Sequence, residues 1–108
     1  MKTSELANLG FACLQDQFTD GELAGGYTSD LLSDAMAHLG EREVLITIQS
    51  HKNTIAVASL AGASAIVFCH GRTVSADVVE AAEKEGIALF STPGNQFVAT
   101  CKIANALR

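Results

Sequence analysis

Three short apolar runs set the terms for this chain: VLITI (44–48), AIVFC (65–69) and IALFS (87–91). Their starts lie 21 and 22 residues apart. Each reads as a strand, and helix-length segments separate them. Strands alternating with helices at that spacing imply parallel strands joined by right-handed crossovers. TIAVASLAG reads as a helix ending at Gly62. Ser75 is placed to cap a helix through DVVEAAEKE, with Asp77 in its first turn, Glu80 and Lys84 paired one turn apart, and Gly86 just beyond its end. NQFVATCKIANALR reads as a terminal helix with Phe97, Val98, Cys101, Ala104 and Leu107 on one face.

The first 43 residues are less regular. TSELANLG reads as a short helix and FACLQ as an edge strand. DLLSDAMAHLG is an amphipathic helix, with Leu32, Ala35, Met36 and Leu39 on one stripe and Gly40 at its stop. The expected fold is therefore an α/β sandwich: a small, mostly parallel sheet flanked by helices, in one domain over residues 1–108. The helix after SHKN stands out. Ile55, Ala56, Val57, Ala58, Leu60 and Ala61 leave it no real polar face, so it should be buried on all sides. In so small a domain that implies either a second subunit, most simply in a homodimer, or cover from the N-terminal segment.

Composition removes several function classes. The formal net charge of −5 argues against nucleic-acid binding, which needs a basic face to displace counterions. No apolar run approaches the roughly 18–20 residues of a membrane span. MKTSELANLG lacks a signal-peptide core, which places the protein in the cytoplasm. Cys13, Cys69 and Cys101 are scattered and form no C-x-x-C pair, so they read as three buried small hydrophobes rather than redox or metal groups. Asp30 and Asp34, one helical turn apart, read as part of a solvated acidic face, and Asp20 and Glu22 lie in a turn region. None of the four forms a metal-ligand pattern, and no cofactor is implied.

Ligands of open α/β sheets bind outside the carboxyl ends of the strands. Here that edge gathers QSHKN (49–53), CHGRTVS (69–75) and STPGNQ (91–96). Together they offer Ser50, His51, Lys52, Asn53, His70, Arg72, Thr73, Ser91 and Thr92. Free N–H groups at helix N-termini add a partial positive charge. No acidic residue occurs from Val44 to Ala76, whereas eight of the 12 precede Val44. Lys52 and Arg72 are the only charges in that interval, so an acidic protein keeps a locally basic rim. The rim suits a small anion such as a phosphate or nucleotide. The same residues also suit plain structural corners, where polar side chains cap and turn the chain. Catalysis has less support. Cys69 and His70 are neighbours on a strand and point apart. No nucleophile, base and orienting group fall together around His51 or His70, and no P-loop or G-x-G-x-x-G motif is present.

The segments DGELAGGYTSDLLSDAM (20–36), VLITIQSHKNTIAVASLAGASAIVF and EAAEKEGIALFSTPGNQF resemble the DRTGG domain family over roughly residues 10–107. Asp20, Gly25 and Gly26 match the element that names the family, while Gly21 and Ala24 replace its usual arginine and threonine. Gly25-Gly26 serve either a turn with positive φ or close approach to a neighbour. The resemblance implies a fold similar to the N-terminal domain of HPr kinase/phosphorylase, a dimer, and a regulatory rather than catalytic role. It also implies a connection with iron-only hydrogenase systems. Two functions follow as expectations. One is a homodimeric regulatory module sensing a small anionic metabolite or nucleotide at the rim. The other is a ligand-free module that docks a protein partner through the apolar helix.

Overall fold

The computed structural model describes all 108 residues. An N-terminal 3-10 turn, Thr3–Leu9, precedes five strands: β1 (Ala12–Gln15), β2 (Gly25–Thr28), β3 (Glu43–Thr47), β4 (Ala65–Phe68) and β5 (Ala88–Ser91). The helices are α1 (Leu32–His38), α2 (Lys52–Ala61), α3 (Ala76–Glu85) and α4 (Gln96–Ala106). The strands form one sheet in the order β1-β5-β4-β3-β2. All neighbours are parallel except β1, which runs antiparallel to β5 at the edge. The fold is the expected α/β sandwich with a mostly parallel sheet.

Alternate residues of the central strands divide the core in two. Leu45, Ile66, Phe68 and Leu89 pack with Ala35, Leu39, Ile55, Ala58, Val78 and Ala82 from α1, α2 and α3. Val44, Ile46, Ala65, Val67, Ala88 and Phe90 face the other way, against Ala99 and Ile103 of α4 and Leu6 of the N-terminal turn. Strands covered on both faces need apolar residues at every position, which explains the unbroken runs in the sequence.

The helix ends follow from local chemistry. Gly62 and Gly86 take left-handed φ of 77° and 67° and stop α2 and α3, as expected. Gly40 does not stop α1. The chain leaves that helix through extended Leu39, and the Gly40 N–H donates to Glu43 Oε1 at 2.7 Å. Ser75 occupies the cap position of α3, but its hydroxyl bonds the Asp77 carboxylate instead of a backbone N–H. Asp77 Oδ1 itself accepts from the Val78 N–H at 3.1 Å. Glu80 and Lys84 form no ion pair; the three ion pairs of the molecule lie elsewhere.

Two apolar faces differ from expectation. α2 is not enclosed: Thr54, Ile55, Val57 and Ala58 are buried, but Asn53, Ala56 and Leu60 form an outer stripe, with Leu60 78% exposed. On α4 the buried residues are Ala99 and Ile103, whereas Phe97 is 77% exposed and Val98, Cys101 and Ala104 are also open. Ala99 and Ile103 lie one turn apart and reach the sheet, so the stripe read as the packing face turns partly outward. Gly25 and Gly26 lie in β2 with ordinary φ. A Cβ on Gly25 would stand 3.1 Å from Glu43 Oε2, and one on Gly26 3.2 Å from Val44 Cγ1. Close approach to β3, not a turn, is their reason.

Candidate functional site

Four strand–helix junctions meet at the carboxyl edge of the sheet, and one carboxylate joins three of them. Asp30, between β2 and α1, accepts at Oδ1 from Gln96 Nε2 (2.7 Å), the Ile48 N–H (2.9 Å) and the Thr47 hydroxyl (3.2 Å). Its backbone carbonyl accepts from Gln49 Nε2 at 2.9 Å. The ends of β2 and β3 and the first residue of α4 are thereby fixed together. The sequence reading assigned Asp30 to a solvated acidic face. It is a half-buried hub instead, because the chain turns there over the end of β3 and presents unpaired donors. Only its position just before a helix hinted at this.

The SHKN corner lies beside the hub. His51 is the N-cap of α2 and makes no capping side-chain bond. The Thr54 N–H bonds the His51 carbonyl, and the Thr54 hydroxyl donates to the Gln49 carbonyl at 2.6 Å. The N–H groups of Lys52 and Asn53 have no acceptor within the chain, as expected for a helix start. Ser50, His51, Lys52 and Asn53 line an open hollow of about 370 Å³ with Ser75, Asp77 and Val78. Two helix N-termini, of α2 and α3, thus border one depression. Lys52 Nζ stands 4.0 Å from Asp77 Oδ2. The Ser75 hydroxyl first, then the nearby Lys52 ammonium, hold the Asp77 carboxyl below its ordinary value.

The other residues expected at the rim stand apart from this hollow. His70 has a left-handed φ of 63°. Its N–H donates to the Gly94 carbonyl (2.9 Å), and the Gly71 N–H donates to the Thr92 carbonyl (3.0 Å). These bonds join the β4–α3 and β5–α4 loops and leave the His70, Arg72 and Thr73 side chains exposed to solvent. Ser91 is half-buried within β5, paired with Ala12 and Phe68. Thr92 is buried, and its hydroxyl accepts from the Gly94 N–H at 3.2 Å within its own turn. Ser75 and Asp77, read from sequence only as helix-start residues, complete the hollow's wall.

Of the three cysteines expected to be buried only Cys69 is, beneath this edge; Cys13 and Cys101 are exposed. Burial first, and the Asp30 charge second, push the Cys69 thiol up to about 11. A thiol so protonated at neutral pH is no nucleophile. No cluster of three or more His, Cys, Asp or Glu side chains is arranged to hold a metal ion, and no helix is long and apolar enough to cross a membrane. At the β2 side of the sheet, Tyr27 donates to Asp34 Oδ2 at 2.7 Å and stacks on His38, with ring centroids 5.9 Å apart. His38 Nδ1 lies 3.1 Å from Asp34 Oδ1.

Comparison with known proteins agrees with this architecture. No curated protein matches the chain. Among solved structures, the CBS and DRTGG domains of the regulatory region of Clostridium perfringens pyrophosphatase, complexed with the activator diadenosine tetraphosphate, superpose with a TM-score of 0.75 at 17% identity. The superposition covers 97% of this chain and 46% of that one, so the chain spans about half the length of its structural relative. At that identity the likeness is one of fold. The model of the DRTGG domain matches residues 28–106, starting after the glycine pair and including the SHKN corner and all of α4. By that match over most of its length, the chain belongs to the DRTGG domain family.

Proposed function

We propose that this protein is a non-catalytic regulatory module, a cytoplasmic homodimer that binds a small anion, a phosphate or a nucleotide, at the carboxyl edge of its sheet. The observation that carries the reading is the hollow between the starts of α2 and α3. There the free Lys52 and Asn53 N–H groups and the Lys52 ammonium sit together beside the Ser50 and Ser75 hydroxyls. Helix N-termini bind phosphate groups through these same N–H donors and the helix dipole. An arriving phosphate competes with Asp77 for Lys52, so Asp77 sets the affinity from the opposite direction. His70, Arg72 and Thr73 lie outside the hollow, exposed on the same edge of the sheet, and would meet only an anion larger than a phosphate. Shared fold with a pyrophosphatase regulatory region supports a regulatory role, and the activator in that structure places nucleotides first among the ligands to try. The connection with iron-only hydrogenase systems belongs to the same proposal.

The test is a thermal-shift and calorimetric panel of inorganic phosphate, mononucleotides and dinucleotides. A ligand at about 100 times its Kd adds roughly 2.7 kcal/mol, or a rise on the order of 10 °C for a domain of this size. Lys52→Ala should abolish the rise, and Asp77→Asn should increase it at a given ligand concentration. A panel without any shift, or a shift indifferent to both substitutions, overturns the site.

One observation favours a second reading, a ligand-free interaction module. Leu32, Ser33 and Met36 of α1 with Asn53, Ala56, Val57 and Leu60 of α2 line an open, mainly apolar groove. Leu60→Glu tests it, because Leu60 is exposed. Val57 is only 4% exposed, so a charge there would test folding instead.

A further inference from the structure

The two edges of the sheet are built differently. β1 closes one edge with a register irregularity between Cys13 and Gln15, and the Gln15 side chain folds back to donate to the Ile87 carbonyl at 2.8 Å. Irregularities of this kind protect an edge from further pairing. β2, four residues long, closes the other edge without any irregularity. Its register with β3 is continuous from Gly25 to Thr28. No charged residue or proline occurs from Ala24 to Ser29, and the glycine pair leaves the backbone bare. Such an edge is a template for another strand.

A second feature lies over the same edge. Thr28 and Thr100 hydroxyls meet at 2.7 Å, placing α4 above β2. Gly26, Thr28, Thr100, Ala104 and Leu107 line a small cleft there. Ala104 borders this cleft, and Phe97 and Cys101 of the same helix are exposed. On the opposite face, Asp34 and His38 of α1 stand over Tyr27 of β2.

We infer that the β2 edge is the surface on which a second copy of this chain docks, by antiparallel pairing of β2 with itself. This rests on the dimeric reading above and names its interface. The two-fold axis of such a pairing runs perpendicular to the sheet. Helices therefore keep their faces, and α4 meets α4 across the seam as α1 meets α1. The uncharged strand and the uncharged Phe97–Ala104 stripe pair with themselves without like-charge repulsion. Area argues against a bare peptide as occupant. A standard interface takes about 800 Å² from each partner, roughly one-seventh of this chain's 5532 Å². Four residues of strand edge do not supply that, and an added strand leaves the α4 stripe open. A second copy covers strand and stripe together.

The experiment is sedimentation equilibrium of the full chain, wild type and variants, with circular dichroism to verify folding. Phe97→Glu, Ala104→Glu and Thr28→Lys alter exposed side chains on two elements of the seam. Leu60→Glu alters the rival groove. The inference expects a wild-type dimer, weakened roughly tenfold or more (about 1.4 kcal/mol) by each seam substitution and unchanged by Leu60→Glu. A dimer indifferent to the seam substitutions overturns the interface and leaves dimerism standing, and one lost only with Leu60→Glu moves it to the α1–α2 groove. A wild-type monomer overturns both dimer and interface, leaving the edge to a different partner. Should either α4 substitution disturb that helix, Thr28→Lys on the strand decides.

Discussion

Removing the Asp30 carboxylate should weaken this fold markedly, although the residue is only half-buried. Three donors end on its Oδ1: Gln96 Nε2, the Ile48 N–H and the Thr47 hydroxyl, at 2.7, 2.9 and 3.2 Å. A hydrogen bond to a charged group contributes about 1.5–3 kcal/mol, and such bonds do not add fully when they share an acceptor. Asp30 is half-buried, so water replaces part of what is lost. Asp30→Ala should therefore cost about 3 kcal/mol, with the stranded Ile48 N–H the largest share. Asp30→Asn keeps an oxygen in place and loses only the charge, which should cost about 1 kcal/mol. The assay is urea unfolding followed by circular dichroism, with equal m-values required for comparison. At about 4–8 °C per kcal/mol, the alanine variant should melt more than 10 °C lower. Amide exchange should quicken at Ile48 and in the first turn of α4, and not in α3. An alanine variant within about 0.5 kcal/mol of wild type, the scatter of ordinary surface substitutions, refutes the hub. So does an asparagine variant as damaged as the alanine one.

Both helix-stop glycines should resist alanine, unequally. Gly86→Ala meets open space and should cost only the backbone penalty, about 1–2 kcal/mol. Gly62→Ala also brings its Cβ within 3.1 Å of Glu41 Cγ and should cost more, as urea midpoints would show. In the native state a thiol reagent should modify Cys13 and Cys101, which are exposed, and reach Cys69 only after denaturation; three fast thiols would contradict the buried position. Asp20, Asp34 and Asp77 are held below 3.8, chiefly by the hydroxyls of Ser4, Tyr27 and Ser75 respectively. The stability they lend is present above that value and is lost as pH falls through the lower folded values. Stability should accordingly begin to decline below about pH 4. Tyr27→Phe should return the Asp34 carboxyl upward in an NMR titration, and an unmoved midpoint would discount the bond.

The parallel strands were legible because β3, β4 and β5 are apolar on both faces, and the left-handed stops because Gly62 and Gly86 follow apolar periods. β2 was not. Its two glycines have low strand propensity, and they stand there to let β3 come close, a tertiary reason invisible along the chain. α4 misled for a related reason. Its sequence is apolar on more than one side, so periodicity alone does not choose between Ala99–Ile103 and Phe97–Cys101 as the face meeting the sheet. The candidate site was legible as an edge and as the four residues Ser50 to Asn53. Its partners Ser75 and Asp77 come from 22 or more residues further along the chain and meet it only through the α2 crossover from β3 to β4. Asp30 escaped notice because its donors, Ile48 and Gln96, are brought to it by the crossing of three loops.

The pairing of β1 with β5 has a consequence for how the chain is made. Residues 12–15 are made before the four other strands, yet their neighbour in the sheet is β5, residues 88–91. α4, residues 96–106, follows later still and packs on the sheet face that carries Val44 and Ile46. Until then a nascent chain holds α1, α2 and α3 on one side of β2, β3 and β4, with the other side bare. Contacts between distant chain segments slow closure, and a bare apolar sheet face is prone to aggregate meanwhile. The domain thus closes in a late step, in which β5 and α4 meet the waiting β1 and seal the second half of the core.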